Sequence, residues 1–411
     1  MKTKKHSNQH RSKLEVLRQI CNLIPGHLVE RLGRQTGVAE RARTFTCWSH
    51  VVSLVYAQLT HAISLNDVCD SLRLHGHALA TIRGAVAPSA NALSHANKVR
   101  DPQLAEQLLW AMLEHLQSIT PAFGTGKQRL TRFKRTVHAV DATVITLVAN
   151  CMDWARHRRR KAATKLHLRL DLQTFLPRLA VLDLAPHHES SHAAALCAGL
   201  KSGEIALFDR AYMIFAQLYD LQQRGVFWVT RAKENLDYRV QHRLPVPEDG
   251  PIQRDDLISL QGVKSSQHYP ETLRRVVAEV EVDGQLTELV FLTNNLEWRA
   301  TSIAELYRCR WDIEKFFRQL KQTLQLADFL GNSAHAVHWQ VWTALLVYVL
   351  LRYLAHLSSW EHSFTRLWAY LRSALWCKLD LLKLLKSCGT ADGHFRLLGR
   401  PEQTYMPFAV G

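Results

Sequence analysis

Apolar residues recur with a helical period through the first third of the chain. Residues 13–24, 47–61, 65–74, 91–99 and 102–119 each carry an apolar stripe at 3.6-residue spacing and are predicted as helices. Ser64 and Ser89 stand where helix N-caps belong. The connections are short and polar, so residues 1–135 are expected to form a compact helical domain. Two short helices followed by a Ser-capped one match a helix-turn-helix-like unit, a pattern that small bundles share.

From residue 136 the period shortens to that of strands. TVHAVDATVITLV (136–148) is long enough for one strand and rich in β-branched residues. Strands are also predicted at 165–171 and 178–184, with a turn at Phe175-Leu176-Pro177. EIALFDR (204–210) is a short strand leading into a helix at 211–223, and VFWVTR (226–231) is another buried strand. Residues 231–298 hold Pro245, Pro247, Pro251 and Pro270, with strand patterns at 273–282 and 285–293. This segment is expected to be a β-rich insertion docked on the sheet.

The stretch 302–326 is predicted as one helix. Ser302 and Glu305 fit a capping box. Leu306, Ile313, Phe317, Leu320 and Leu324 form a narrow stripe at about 100° per residue. Tyr307, Arg310, Glu314 and Lys321 form a second, polar stripe beside it. A surface ion-pair network is one explanation, since Arg310–Glu314 is an i,i+4 pair. The segment 337–357 is apolar but contains Gln340 and Arg352, which suits a buried helix better than a membrane span. The tail is predicted helical, with Trp339 and Trp342 in the core.

Charge changes the picture. The 411 residues carry 52 Lys plus Arg against 36 Asp plus Glu, a net charge of +16. Such a balance suits a polyanionic partner, nucleic acid before an anionic membrane surface. RHRRRKAATK (156–165) is the densest basic run and is strained by self-repulsion unless it faces a polyanion. GTGKQRLTRFKR (124–135) is either a solvated hinge or a strap against phosphate. Lys165 and His167 alternate with leucines, so their polar tips share one strand face. Arg274, Arg275 and Trp298 are further candidates for DNA contact. The eight cysteines are scattered without a Cys-x2-Cys pair, and no apolar signal-peptide core follows the basic N-terminus. A cytoplasmic, nucleoid-associated location is expected. His187, His188 and His192 cluster, but without a cysteine or carboxylate motif a polar loop is expected there rather than zinc.

Two acids interrupt apolar strands. Asp141 lies inside 136–148, where a carboxylate is expensive unless paired or metal-bound. Asp209 ends a strand before a helix, where open α/β sheets place their sites; taken alone, a helix N-cap is the favoured reading.

Three motifs share one resemblance. Tyr307-x2-Arg310-x3-Glu314-x6-Lys321 resembles the signature helix of the insertion-sequence-4 family of bacterial transposases. Asp141-Ala-Thr-Val-Ile resembles that family's first-acid motif. Asp209-Arg210-Ala211-Tyr212 resembles its second, usually Asp-Arg-Gly-Tyr, with a mild departure at Ala211.

The resemblance covers nearly the whole chain. It implies an α/β fold with a ribonuclease-H-like catalytic core (136–230 and 299–345), the β-rich insertion (231–298), a helical N-terminal DNA-binding domain (1–135) and a helical C-terminal region (346–411). It implies that Asp141, Asp209 and Glu314 are both catalytic and metal-binding, around Mg2+ or Mn2+ and with two ions expected. It implies DNA contacts from Tyr307, Arg310, Lys321, Arg210, Tyr212, Lys165, His167, Arg158, Arg159 and Arg160. The activity implied is cleavage at the ends of an insertion sequence and strand transfer into target DNA, cut-and-paste through hairpinned ends, with a homodimer bridging two ends. A DNA-binding repressor without catalysis and a nuclease without strand transfer are the alternatives.

Overall fold

The computed structural model describes residues 14–38, 44–125, 134–147, 156–157, 161–184, 192–246, 248, 250–282, 285–323 and 330–388. Its helices are α1 (Val16–Cys21), α2 (Gly26–Gln35), α3 (Cys47–Thr60), α4 (Leu65–Leu74), α5 (Gly76–Ala80), α6 (Ala90–Val99), α7 (Gln103–Ile119), α8 (Pro121–Gly124), α9 (Ala193–Cys197), α10 (Phe215–Gln223), α11 (Val263–His268), α12 (Ala300–Cys309), α13 (Trp311–Thr323), α14 (Ala334–Ser358), α15 (Phe364–Ala374) and α16 (Leu381–Cys388). Its strands are β1 (Val137–Leu147), β2 (Arg156–His157), β3 (Lys161–Asp171), β4 (Leu176–Leu184), β5 (Ile205–Phe208), β6 (Phe227–Arg231), β7 (Tyr238–Arg243), β8 (Ile252–Leu260), β9 (Leu273–Val282) and β10 (Gln285–Thr293). The chain divides into two compact units, Met1–Phe123 with Gln319–Gly411, and Gly124–Arg318.

In the first unit, α3 and α14 are largely apolar and are buried on nearly every side. Among the described residues α14 is the one helix long and apolar enough to cross a membrane, but 78% of its most apolar stretch is buried in the protein. It packs on α3, α6 and α7, and Trp339 (1% exposed) donates its indole N–H to the Arg100 carbonyl at 3.0 Å. Ser64 and Ser89 cap α4 and α6 through the amides of Asp67 and Ala92, each at 3.1 Å. Helix α2 escaped the periodicity reading.

The second unit is organised on a ten-stranded mixed sheet in the order β2-β3-β1-β5-β6-β10-β9-β8-β7, with β4 on the edge of β3. Only β1–β5 and β5–β6 pair in parallel among these ladders. The segment expected to dock on the sheet instead extends it, because Phe291 of β10 pairs with Arg231 of β6. Val140, Phe208, Trp228 and Leu292 belong to one buried cluster over the central strands. Each such side chain contributes about 1.5–3 kcal/mol by leaving water.

The helix expected at 302–326 differs in two respects. It begins at Ala300, with Arg299 at the N-cap and no side-chain cap. Asn295 accepts from the amides of Glu297 and Trp298 in the turn before it, and Ser302 lies inside the first turn rather than capping it. It also breaks at Arg310, where bonds of i→i+3 type tighten the backbone between α12 and α13.

Candidate active site

Parallel pairing brings the first two acids side by side. Val140 of β1 is opposite Phe208 of β5, and Asp141 and Asp209 are the next residue on each strand. At that level β5 ends while β1 continues against β3. Both acids therefore stand at the carboxyl end of the parallel strands, where the sheet opens a crevice. Asp209 N-caps a short 3-10 turn, Arg210–Tyr212, and not the long helix expected from 211; α10 starts only at Phe215.

The third acid arrives through α12 and α13. Helix α12 packs on β6, β9 and β10 and buries Ile303 and Leu306. The break after it aims Arg310 at the strands. The Arg310 guanidinium donates to Asp141 Oδ2 at 2.8 Å and to Glu314 Oε1 at 3.0 Å. Its side chain is 9% exposed, Asp141 15% and Glu314 53%. Burial lowers the Arg310 pKa, but the neighbouring Tyr307, Asp141, Asp209 and Glu314 hold it above its usual value. Burial raises the Tyr307 pKa; its ring lies against Phe291 and 5.5 Å from the guanidinium carbon.

The donor set suits a hard dication. Two carboxylates bond the Arg310 guanidinium, the charge of Asp209 also reaches it, and every candidate ligand atom is oxygen, as Mg2+ and Mn2+ prefer. The positive charge of Arg310 answers those acids here.

The DNA-contact candidates are placed less uniformly. Arg210 is exposed and lies 3.9 Å from Glu234. Lys165 is half-buried. His167 and Tyr212 are buried, at 0% and 1%, and bond to each other at 2.9 Å, so neither is offered to a polyanion in this conformation. The face of β3 that carries His167 is covered by α9: Arg169, two residues on, donates to the carbonyls of Leu196 and Ala198. Lys321 belongs to the first unit, and burial lowers its pKa. Arg158, Arg159 and Arg160 lie outside the described residues, as do His187 and His188.

Arg274 and Arg275, expected to face DNA, are instead buried in ion pairs with Asp255 (2.6 Å) and Asp256 (3.1 Å). β8 supplies both acids from the neighbouring strand, which sequence spacing does not reveal. Arg231 escaped the sequence reading. It ends β6 one step past Thr230, which is opposite Phe208, and its charge reaches the Tyr307 phenol. Its place at a strand's carboxyl end was the available signal.

The fold is mixed α/β, with Asp141 and Asp209 at the carboxyl end of its parallel strands. Residues 132–350 match the transposase DDE domain family, and the chain belongs to that family. Residues 12–82 match a domain of unknown function, DUF4372. A Sinorhizobium fredii protein named as a transposase, y4zB, is 34% identical over 222 residues, which are 53% of this chain and 61% of that protein. A Geobacillus stearothermophilus protein named as a transposase for insertion sequence element IS5377 is 28% identical over 229 residues, 55% of this chain and 59% of that protein. The chain thus spans about three-fifths of the length of these relatives. Among solved structures, a piggyBac transposase synaptic complex with hairpin DNA aligns with TM-score 0.45 and 10% identity, over 94% of this chain and 84% of that one.

Proposed function

We propose that the chain is a DNA transposase of the insertion-sequence-4 type, built on a ribonuclease-H-like core, that cleaves the ends of its own element and joins them to target DNA. The observation that carries this reading is Arg310 bridging Asp141 and Glu314, with Asp209 directly after Phe208, which pairs with Val140 beside Asp141. Family membership supports it. Asp141, Asp209 and Glu314 would hold Mg2+ or Mn2+, which supplies Lewis-acid activation of the attacking oxygen and charge neutralisation at the scissile phosphate.

The chain's own side chains do the rest. Arg310 would hold a phosphate through its planar fork. Arg231 and Arg210 flank the same strand ends and add positive charge for the DNA backbone. The buried Tyr307 ring keeps Arg310 in place and presents its phenol to the phosphate. Lys321, further along the same helical stretch, is assigned a point-charge contact to DNA. The basic segment 156–165, with Arg158, Arg159 and Arg160, is assigned to the DNA flank, and the helical residues 1–135 to recognition of the element's ends. Residues 231–298 are the insertion and 346–411 the helical C-terminal region. A homodimer pairing two ends through hairpin intermediates completes the reading.

The test is incubation of purified protein with labelled element ends and target DNA, with and without Mn2+. Joined products that need both the dication and Glu314 support the proposal. Metal-independent binding without cleavage, or cleavage without joining, overturns it.

A further inference from the structure

A second group of ligand-bearing side chains gathers in the same unit, away from the three acids. His167 lies within β3, Asp183 near the end of β4 and His192 just before α9. Lys165 is opposite Asp183 and His167 opposite Val181, so His167 and Asp183 are diagonal neighbours on one face of the pleat. One ring nitrogen from each histidine and one Asp183 oxygen all lie within 4.8 Å of one another. His192 Nε2 is 2.5 Å from Asp183 Oδ2, and the two imidazole rings are 4.7 Å apart.

His167 is the informative member. It is fully buried, and its Nε2 has no hydrogen-bond partner. Its Nδ1 is 2.9 Å from the Tyr212 hydroxyl. A histidine that ligates a metal engages its other ring nitrogen in this way, which sets the tautomer and leaves a lone pair for the ion. Burial, with His192 and Lys165 nearby, pushes the His167 pKa down to about 4, so the ring is neutral at pH 7.

We propose that His167, Asp183 and His192 bind one transition-metal dication, Zn2+ by preference, at a site separate from Asp141, Asp209 and Glu314. Two imidazoles and one carboxylate match Zn2+, whereas Mg2+ selects an all-oxygen octahedron. Bonds of about 2.0–2.2 Å space tetrahedral ligand atoms about 3.4 Å apart. The partly exposed His192 and Asp183 side chains, at 22% and 16%, close that gap by rotation and leave a fourth position for water. The ion takes only unprotonated imidazole nitrogens and a carboxylate, so affinity falls as pH falls. The ion ties β3, β4 and the start of α9 together. Through the Tyr212 hydroxyl it also steadies the turn that follows Asp209.

The inference rests on this cluster alone and not on the transposase reading. Its test is titration of the metal-stripped full chain with Co2+, whose visible absorption reports imidazole ligation, followed by displacement with Zn2+. One Co2+ per chain is expected, displaced one-for-one by Zn2+. His192→Gln and Asp183→Asn each abolish that signal while circular dichroism stays native. Tyr212→Phe weakens binding by about 10–100-fold. The signal persists in Asp141→Asn/Glu314→Gln, which separates this site from the acids. An absent imidazole-ligated Co2+ signal in the wild-type chain overturns the proposal, whatever the variants do. So does a signal that survives both His192→Gln and Asp183→Asn, which would leave His192–Asp183 as an ion pair only.

Discussion

The Arg310 guanidinium donates to Asp141 Oδ2 at 2.8 Å, joining residues 169 positions apart in the chain. Arg310 also holds Glu314 at 3.0 Å. One cation thus answers acids contributed by a strand and by a helix.

Arg310→Ala removes the guanidinium from a largely buried Asp141 carboxylate. Breaking such a pair costs about 3–5 kcal/mol. A dication restores the missing charge, so Mg2+ should raise the melting temperature of Arg310→Ala more than that of wild type. Equal shifts in thermal melts with EDTA or Mg2+ would show that the acids share no ion.

Glu314 is half-exposed, so Glu314→Gln should change stability by less than about 1 kcal/mol. DNA binding should persist. Cleavage should fall at least about 100-fold, a barrier increase of about 2.7 kcal/mol. Cleavage at the wild-type rate on labelled ends would remove Glu314 from the site.

Lys321→Ala is expected to weaken strand joining more than it weakens the fold. A gel assay of joined products, set beside a thermal melt, decides this. A large fall in melting temperature with full joining would make Lys321 a structural residue.

Arg274→Ala tests the opposite class. Arg274 and Asp255 are 5% and 4% exposed, so the variant strands a buried carboxylate and should lose about 3–5 kcal/mol in urea denaturation. Among chains that remain folded, affinity for DNA should be unchanged.

His50 gives the protein an acid-side weakness. Burial, then the nearby Arg100 charge, pushes its pKa from the usual 6.5 to about 3, against a raising hydrogen bond with Asn97 at 2.8 Å. The unfolded chain therefore takes up this proton first as pH falls. The stabilisation is complete above about pH 6.5 and is lost between there and about pH 3, by about 1.4 kcal/mol per pH unit. His50→Gln should flatten the part of the stability–pH curve between pH 6.5 and 5 in urea titrations. An unchanged slope would show that His50 is not buried neutral.

Much of the architecture was legible in the residues. β1 announced itself through its β-branched run, β9 and β10 through strand patterns, α4 and α6 through serine caps, and α14 through its long, largely apolar stretch. Asp141 and Asp209 stood out because a carboxylate in an apolar strand demands a reason. Local patterns are enough for such features, since hydrophobic period, capping and desolvation each act over a few neighbouring residues.

Partnership across the chain was not legible. Sequence left Arg274 and Arg275 looking like DNA contacts until β8 brought Asp255 and Asp256 against them. It left His192 in a histidine-rich loop until β3 and β4 set His167 and Asp183 beside it. It left Arg310 as one charge in a helical stripe until the break before α13 turned it toward β1. The amino-acid order determined which residues are apolar, charged or able to cap, because those properties belong to the side chains themselves. Tertiary structure decided which charges are answered and which remain to meet a ligand, because Coulomb interaction and hydrogen bonding depend on distances that only strand register and helix packing set.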